Sequence, residues 1–359
     1  MKTHRLLWGA CLLLLLTGCA GIGAGTVSRD RFDYTEAISD SWKRQMLLNM
    51  VKLRYGDAPV FLDVASVINQ YALTGSINLN ASWIHNAPVS PYSAAQAVGA
   101  VGAYEDRPTI TYSPLMGERF ARELMTPIPP AAILSLIQGG YPADLVFRLT
   151  VHSINGIRNR FGGAARAHGA DPEFYPLLEK MRSIQSSGAV GMRVKKGEGK
   201  EEAWMMVFRA KREEKLEADK EEVRKILGLD PKAQEFRVVY GAISRDDQEI
   251  AILSRSMLEI LTDLASSIEV PPAHVTEKRV NPTLEEQVGD VKVPPLIRVS
   301  SSPSRPADVF VAVPCRDHWF WIDDRDLRSK SVFSFLMFIF TLLETPDKGG
   351  APIVTIPTR

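Results

Sequence analysis

Ile38, Trp42, Met46, Met50 and Leu53 recur every three or four residues, which is one apolar face of a helix of about 20 residues. Asp33 with Glu36 reads as its capping box and Gly56 as its left-handed end. Val60 to Val64 is a short strand candidate. From Gln70 the period changes to two: Tyr71, Leu73, Ile77, Leu79, Ala81 and Trp83 alternate with Thr74, Ser76, Asn78, Asn80 and Ser82. That is an extended strand with one apolar and one uncharged polar face, far longer than the usual five or six residues. Pro88 and Pro91 interrupt it, Ala94 to Tyr104 is small and apolar, and Thr109 to Tyr112 resumes strand chemistry, so a long hairpin is expected over 70–112.

Phe120 and Leu124 suggest a short helix stopped before Pro127, and Pro130 opens another that Gly139 and Gly140 end. Leu145 to Val151 reads as a strand, and Asp171-Pro172-Glu173 as the start of a helix. Val190–Lys195 and Ala203–Phe208 flank Gly197-Glu198-Gly199, a hairpin signal. A charged helix over Glu213–Leu227 ends at Gly228, Phe236–Tyr240 is a strand, and Ser244 with Asp247 resembles a capping box before the stripe Ile250, Leu253, Met257, Leu261, Leu264 and Ile268. Residues 270–306 hold seven prolines and read as a loop. Val309–Val313 and Trp319–Ile322 form a second hairpin, Val332–Leu343 is apolar on all sides and so a buried helix, and Ile353–Ile356 is a last strand. No internal repeat is visible. Helices mix with mainly antiparallel strands without strict alternation, an α+β class. The expected organisation is a segment 1–18, a flexible glycine-bearing tether over 19–30, an α+β region 31–185 and a second α+β region 186–359.

The first 18 residues have their own chemistry. Lys2 and Arg5 precede the apolar run Leu6–Leu16, which is too short to span a bilayer as a helix, and Thr17, Gly18 and Cys19 follow. The order is that of a secretion signal, and Leu16-Thr17-Gly18-Cys19 resembles the bacterial lipobox. The resemblance implies a diacylglycerol on the Cys19 sulfur, cleavage before Cys19 and a further acyl chain on the new amino terminus; several chains make anchoring stable. An ordinary cleaved signal with a chance cysteine is the competing reading. In the same family a residue other than Asp after the cysteine directs export to the outer membrane, and here it is Ala20. The body, through Leu48-Asn49-Met50-Val51-Lys52-Leu53-Arg54-Tyr55 and Arg107-Pro108-Thr109-Ile110-Thr111-Tyr112, resembles uncharacterised envelope lipoproteins of Gram-negative bacteria. No active-site residue carries over from that resemblance.

Charge and cysteine content narrow the picture further. The net charge of +1 becomes −1 once Lys2 and Arg5 are removed, which gives no reason to expect nucleic acid as a partner. Cys11 leaves with the signal and Cys19 is acylated, so Cys315 has no intrachain partner. No His-Glu-x-x-His, Gly-x-Ser-x-Gly, Walker loop or Cys-x-x-Cys occurs, and His85, His152, His168, His274 and His318 lie apart, so no metal or cofactor is expected.

Three clusters carry candidate chemistry. Arg158, Arg160, Arg166 and His168 are interleaved with Gly156, Gly162 and Gly163, and no acidic residue stands between Asp144 and Asp171. Guanidinium forks with close backbone amides suit an anion, although a solvated basic loop explains the same residues. His318 to Asp326 sets aromatics beside Asp323, Asp324 and Asp326. That suits acid–base work on a sugar, or more economically a strand followed by a helix cap. Arg209 to Lys225 reads as a solvent-exposed, ion-paired helix face. The expectation is a lipid-anchored envelope protein, on the periplasmic side of the outer membrane, acting as a non-enzymatic binding or assembly component. Its partners are the membrane, through its lipid, together with envelope proteins or copies of itself. A periplasmic hydrolase of a cell-wall or glycan polymer is the alternative.

Overall fold

The structure is a computed structural model, and it describes residues 22–68, 71–82, 95–106, 109–163, 167–196, 202–209, 213–283, 285–288 and 291–343. Cys19, Arg166 and the strand expected at Ile353–Ile356 lie outside the described residues. The chain divides into two compact units, Met1–Ser41 with Leu62–Pro114, and Trp42–Phe61 with Leu115–Arg359. The α+β class holds, with helices beside mostly antiparallel sheets.

Helix α1 (Ile22–Arg54) contributes to both units. It is already helical at Ile22, ahead of the expected Asp33–Glu36 start and inside the expected tether. Propagating a formed helix costs far less than nucleating one, so a packed segment at Met46–Val51 extends past Gly23 and Gly25 despite their poor propensity. Gly56 ends it with φ +77°.

In the first unit, β1 (Leu62–Ile68) pairs antiparallel with β4 (Thr109–Pro114) across a bulge between Val64 and Ser66. Between them come β2 (Tyr71–Ser82) and β3 (Ala95–Asp106), 12 residues each, paired antiparallel from Tyr71 with Asp106 to Ser82 with Ala95 and no register shift. The expected long hairpin is therefore present, with Ala95–Asp106 as its return strand.

The second unit is built on a mixed six-stranded sheet, ordered β6 (Ile157–Arg158), β5 (Val151–Ile154), β10 (Glu249–Ser254), β9 (Glu235–Tyr240), β8 (Glu202–Phe208) and β7 (Val190–Lys196). Only β9 and β10 run parallel. The sheet draws strands from both sides of the boundary expected at 185/186. Two sequence readings are corrected here. Leu145–Val151 is not a strand: Ala143–Thr150 is a helix whose Val146, Phe147, Leu149 and Thr150 are buried, and the strand starts only at Val151. Conversely, Ile250–Ser254 is not the start of a helix but the sheet's central strand, buried almost throughout. The helix begins at Met257, where Ser256 and Glu259 form the capping box expected at Ser244 and Asp247. Ile250–Ser254 is a short apolar run buried almost throughout, which has no period to tell strand from helix, and Leu145–Val151 is too short a window for the one buried face of its helix to show.

The other helices are α2 (Gly117–Phe120), continued by a π turn at Ala121–Met125, α3 (Pro130–Gln138), α4 (Ala143–Thr150), α5 (Phe174–Ser186), α6 (Glu214–Leu227), α7 (Met257–Ser266), α8 (Pro272–Thr276) and α9 (Leu327–Leu343). Strands β11 (Glu286–Val288) and β12 (Val291–Val293) form a small ladder within the proline-rich segment. Strand β15 (His318–Asp323) lies between β13 (Ser300–Ser302) and β14 (Val309–Cys315). The β14–β15 turn puts Arg316 and Asp317 at φ +50° and +66°, as a type I′ turn requires. Phe320 and Ile322 are buried whereas Trp319 and Trp321 are half-exposed, so one face of β15 is covered rather than both. Helix α9 is likewise not buried all round: Phe333, Leu336 and Phe340 are buried, while Phe338 and Leu342 are exposed.

Candidate functional site

The densest polar chemistry of the second unit is a buried group of three arginines and two carboxylates. Arg255 follows β10 directly, which carries its side chain into the interior, where it is 0% exposed. Its Nη1 pairs with Asp263 Oδ2 at 3.0 Å, and its guanidinium also donates to the carbonyls of Leu149 (3.4 Å) and Arg160. Burial pushes the Arg255 pKa down and Asp263 opposes the shift. Asp263 sits two turns along α7 and also accepts from the Gly162 amide at 2.7 Å. Arg160 donates to Ser266 Oγ at 2.8 Å and lies 3.6 Å from both Asp263 and Glu286. Arg148, on α4, lies 3.6 Å from Glu286, whose other oxygen accepts the Tyr175 hydroxyl at 2.5 Å. Burial raises the Tyr175 pKa strongly, which keeps the phenol a donor. A Cβ on Gly162 would fall 1.9 Å from Ser266 Oγ, so only glycine brings that amide to the carboxylate.

These contacts place the first sequence cluster. Arg158 forms a fork with Asp171, its Nη2 2.9 Å from Oδ1 while Asp171 also takes the Arg158 amide at 2.8 Å. The hydrogen bonds to Arg158 hold the Asp171 carboxyl below its usual range. Arg160 ends on Asp263 and Glu286, and His168 is exposed, its Nδ1 2.9 Å from its neighbour's carbonyl. Arg158 and Arg160 thus share no partner. The residue types do bind anions through guanidinium forks and a glycine amide, but the anions are the protein's own and come from positions 171, 263 and 286. What sequence reading missed is Arg148, Arg255, Asp263 and Glu286; the one available signal was charge set inside apolar runs, at Arg255 and Asp263.

Beside this group Arg148 and Tyr175 line a cavity of ≈ 490 Å3 with Leu145, Leu178 and Val332, and with Arg182 and Arg328 among its other lining residues. Arg182 lies 3.7 Å from Asp144, while Arg328 has no ion pair among the described residues. Apolar walls with a few cations are what a small amphiphilic anion would need.

The second cluster is taken up by caps and pairs. Asp326 Oδ1 and Oδ2 accept from Ser329 N (3.0 Å) and Oγ (2.7 Å), capping α9, and the backbone bond first of all pulls the Asp326 pKa down. Asp324 pairs with Lys330 at 2.6 Å and Asp323 accepts the Arg325 amide at 2.8 Å. Trp321, Asp323 and Asp326 line a hollow of ≈ 450 Å3 with Arg298 and Arg325. His318 instead belongs to a group in which the Tyr55 hydroxyl meets His274 Nδ1 at 2.7 Å, the His274 and His318 rings cross at 5.0 Å, and Arg316 covers Tyr55 while forking onto Asp57. Burial, then His318, lowers the His274 pKa, so a neutral ring accepting the phenol is the favoured state.

The third cluster departs from expectation. Asp219, Lys220 and Arg224 of α6 are buried, not solvent-facing: Asp219 takes Lys180 (2.8 Å) and Ser183 (2.6 Å), and Lys220 donates to Glu217 and to the Arg209 carbonyl. Cys315 is a half-buried free thiol whose pKa burial raises. Among the described residues no group of three or more His, Cys, Asp or Glu could hold a metal ion, and no helix is long and apolar enough to cross a membrane. No family model, curated protein or solved structure matches this chain.

Proposed function

We propose that this is a lipid-anchored protein of the bacterial cell envelope that works as a non-catalytic binding and assembly component. The observation that carries the reading is the unit at 62–114, in which β2 and β3 form a two-stranded ladder that no third strand joins among the described residues. Open strand edges recruit a partner strand, and two-stranded ladders are marginal in water without one. Three contacts weigh against the hydrolase alternative: Asp326 is held low as a helix cap, Asp324 is paired with Lys330 and Asp323 accepts the Arg325 amide, whereas a general acid needs a raised pKa.

The anchor half of the proposal rests on Leu16-Thr17-Gly18-Cys19. Cys19→Ser should abolish fatty-acid labelling and shift the electrophoretic mobility of the chain. The assembly half is read by the native mass of the detergent-extracted, wild-type protein together with whatever co-purifies at fixed stoichiometry. A monodisperse monomer with no companion would sink the assembly reading, and unchanged labelling of the serine variant the anchor.

A further inference from the structure

Charge is missing from one long stretch of this chain. No Asp, Glu, Lys or Arg stands anywhere between Asp63 and Glu105, in a protein in which 24% of residues are charged. That interval contains β2 and nearly all of β3. Strand positions alternate between faces, and directly paired residues share one. Leu73, Ile77 and Leu79 therefore fall on the same face as their partners Tyr104, Ala100 and Val98. The opposite face holds Thr74, Ser76, Asn78 and Asn80, paired with Ala103, Val101, Gly99 and Ala97. Between Leu73 and Asn80 the first face is apolar on both strands, and the second is small and uncharged, polar on β2 and made of alanine, glycine and valine on β3; Gln96, Glu105 and Asp106 stand at the ends of the ladder.

Water is the wrong solvent for such a ladder. Soluble proteins blunt open strand edges with lysine, proline, bulges or inward charges, and neither β2 nor β3 has a charge short of Glu105, a proline or a register shift. The dimensions suit a bilayer. Twelve residues at about 3.4 Å rise span about 41 Å, and a tilt of about 45° reduces that to about 29 Å, against a hydrocarbon core of about 30 Å. Tyr71 and Tyr104 stand at one end of the apolar band, where an interfacial girdle places its aromatics. One hairpin cannot enter hydrocarbon alone, because its outer edges would leave backbone groups unpaired there.

We infer that the β2–β3 hairpin is a membrane-spanning element, and that copies of this chain form a ring whose hairpins pair edge to edge into one closed β-barrel. The Leu73–Ile77–Leu79 face meets lipid and the Thr74–Asn80 face lines the lumen. Each copy supplies two strands, and since barrels have at least about eight, the ring holds at least about four copies. The inference rests on the envelope reading for its access to a bilayer.

The test uses the full-length acylated protein, with Cys315→Ser to leave no free thiol, reconstituted into phosphatidylethanolamine–phosphatidylglycerol vesicles. Leu73→Cys, Ile77→Cys, Asn78→Cys and Leu79→Cys are labelled singly with a small fluorophore. Spin-labelled lipids should quench positions 77 and 79 several-fold more than 78, with position 77 reached best by deep labels and 73 by shallow ones. Aqueous iodide should quench 78 preferentially. The mass of the unsubstituted assembly, which no variant can perturb, should be that of a ring. Equal depth at 73, 77 and 79 would mean a hairpin lying on the surface. Shielding of 78 and 79 from both quenchers would mean packing against protein. Either result, or a monomeric mass for the unsubstituted chain, overturns the barrel. Vesicle flotation and co-purifying mass report anchoring and assembly separately, so a protein that floats and assembles without a depth gradient refutes the barrel alone.

Discussion

Asp263→Asn is the sharpest perturbation of the buried arginine group. Asparagine keeps the size of the side chain and an acceptor for the Gly162 amide, so the change removes charge rather than volume. It leaves Arg255, 0% exposed, without the carboxylate that held it at 3.0 Å, with the field of Glu259 remaining, while Arg148 and Arg160 keep Glu286. Breaking a buried pair by removing one partner costs about 3–5 kcal/mol, because the surviving charge stays desolvated. For a domain of this size each kcal/mol lowers Tm by about 2–4 °C, so a fall on the order of 10 °C is expected. Urea unfolding followed by the fluorescence of Trp204, Trp319 and Trp321 reports this unit. Arg255→Met with Asp263→Leu provides the control: with both charges gone and the volume kept, the double variant should be more stable than either single change predicts, since apolar replacement of a buried pair is often near neutral. A loss below about 1 kcal/mol for Asp263→Asn, the size of an exposed pair, would refute the account, as would additivity in the double variant.

Three further outcomes follow from the same contacts. Gly162→Ala should destabilise by about 1–3 kcal/mol through overpacking against Ser266, whereas Gly169→Ala, which meets nothing within 4 Å, should be silent in the same thermal melt. Glu259 is held down to about 2, first by its bond to His152 and then by the Ser256 cap, so its contribution is complete above the unfolded carboxyl value near 4.5 and is lost as pH falls from there toward 2. Because the side chain is 42% exposed, solvent screening reduces that contribution to about 1 kcal/mol, and Glu259→Gln should flatten the stability profile over that interval alone. Asp326→Ala should cost about 1 kcal/mol as a lost cap without altering which proteins co-purify; loss of a partner with stability unchanged would return the aspartate to a functional role.

How far the chain was legible depended on whether local pattern and tertiary context agreed. The 70–83 alternation, the Gly56 and Gly228 helix ends and the turn before His318 were readable, because period, left-handed glycines and turn chemistry act over a few residues. Ile250–Ser254 is a strand where a helix was expected because burial on both sides erases period and its sheet partners decide, and Leu145–Val151 is helical where a strand was expected because so short a window does not show a helical face. Charge is illegible in the same way: Arg160 meets Asp263 on α7 and Glu286 on β11, about a hundred residues downstream, and no local pattern ties either carboxylate to it. Lys220 and Asp219 looked solvated on a charged helix until α5 covered them.

The hairpin differs from all of these in how it could be read at all. In the second unit the buried carboxylates find partners on other elements: Asp263 reaches Arg255, and Glu286 reaches Tyr175. In β2 and β3 the backbone ladder satisfies one side of each strand, and no further strand joins among the described residues. There is no charge between Asp63 and Glu105 from which an ion pair could be made. An apolar face beside a small uncharged one, with edges that no described strand covers, is what a barrel of identical hairpins in hydrocarbon requires. The discriminating quantity is therefore the environment of adjacent positions 78 and 79, which a membrane barrel makes opposite and a covered sheet makes alike.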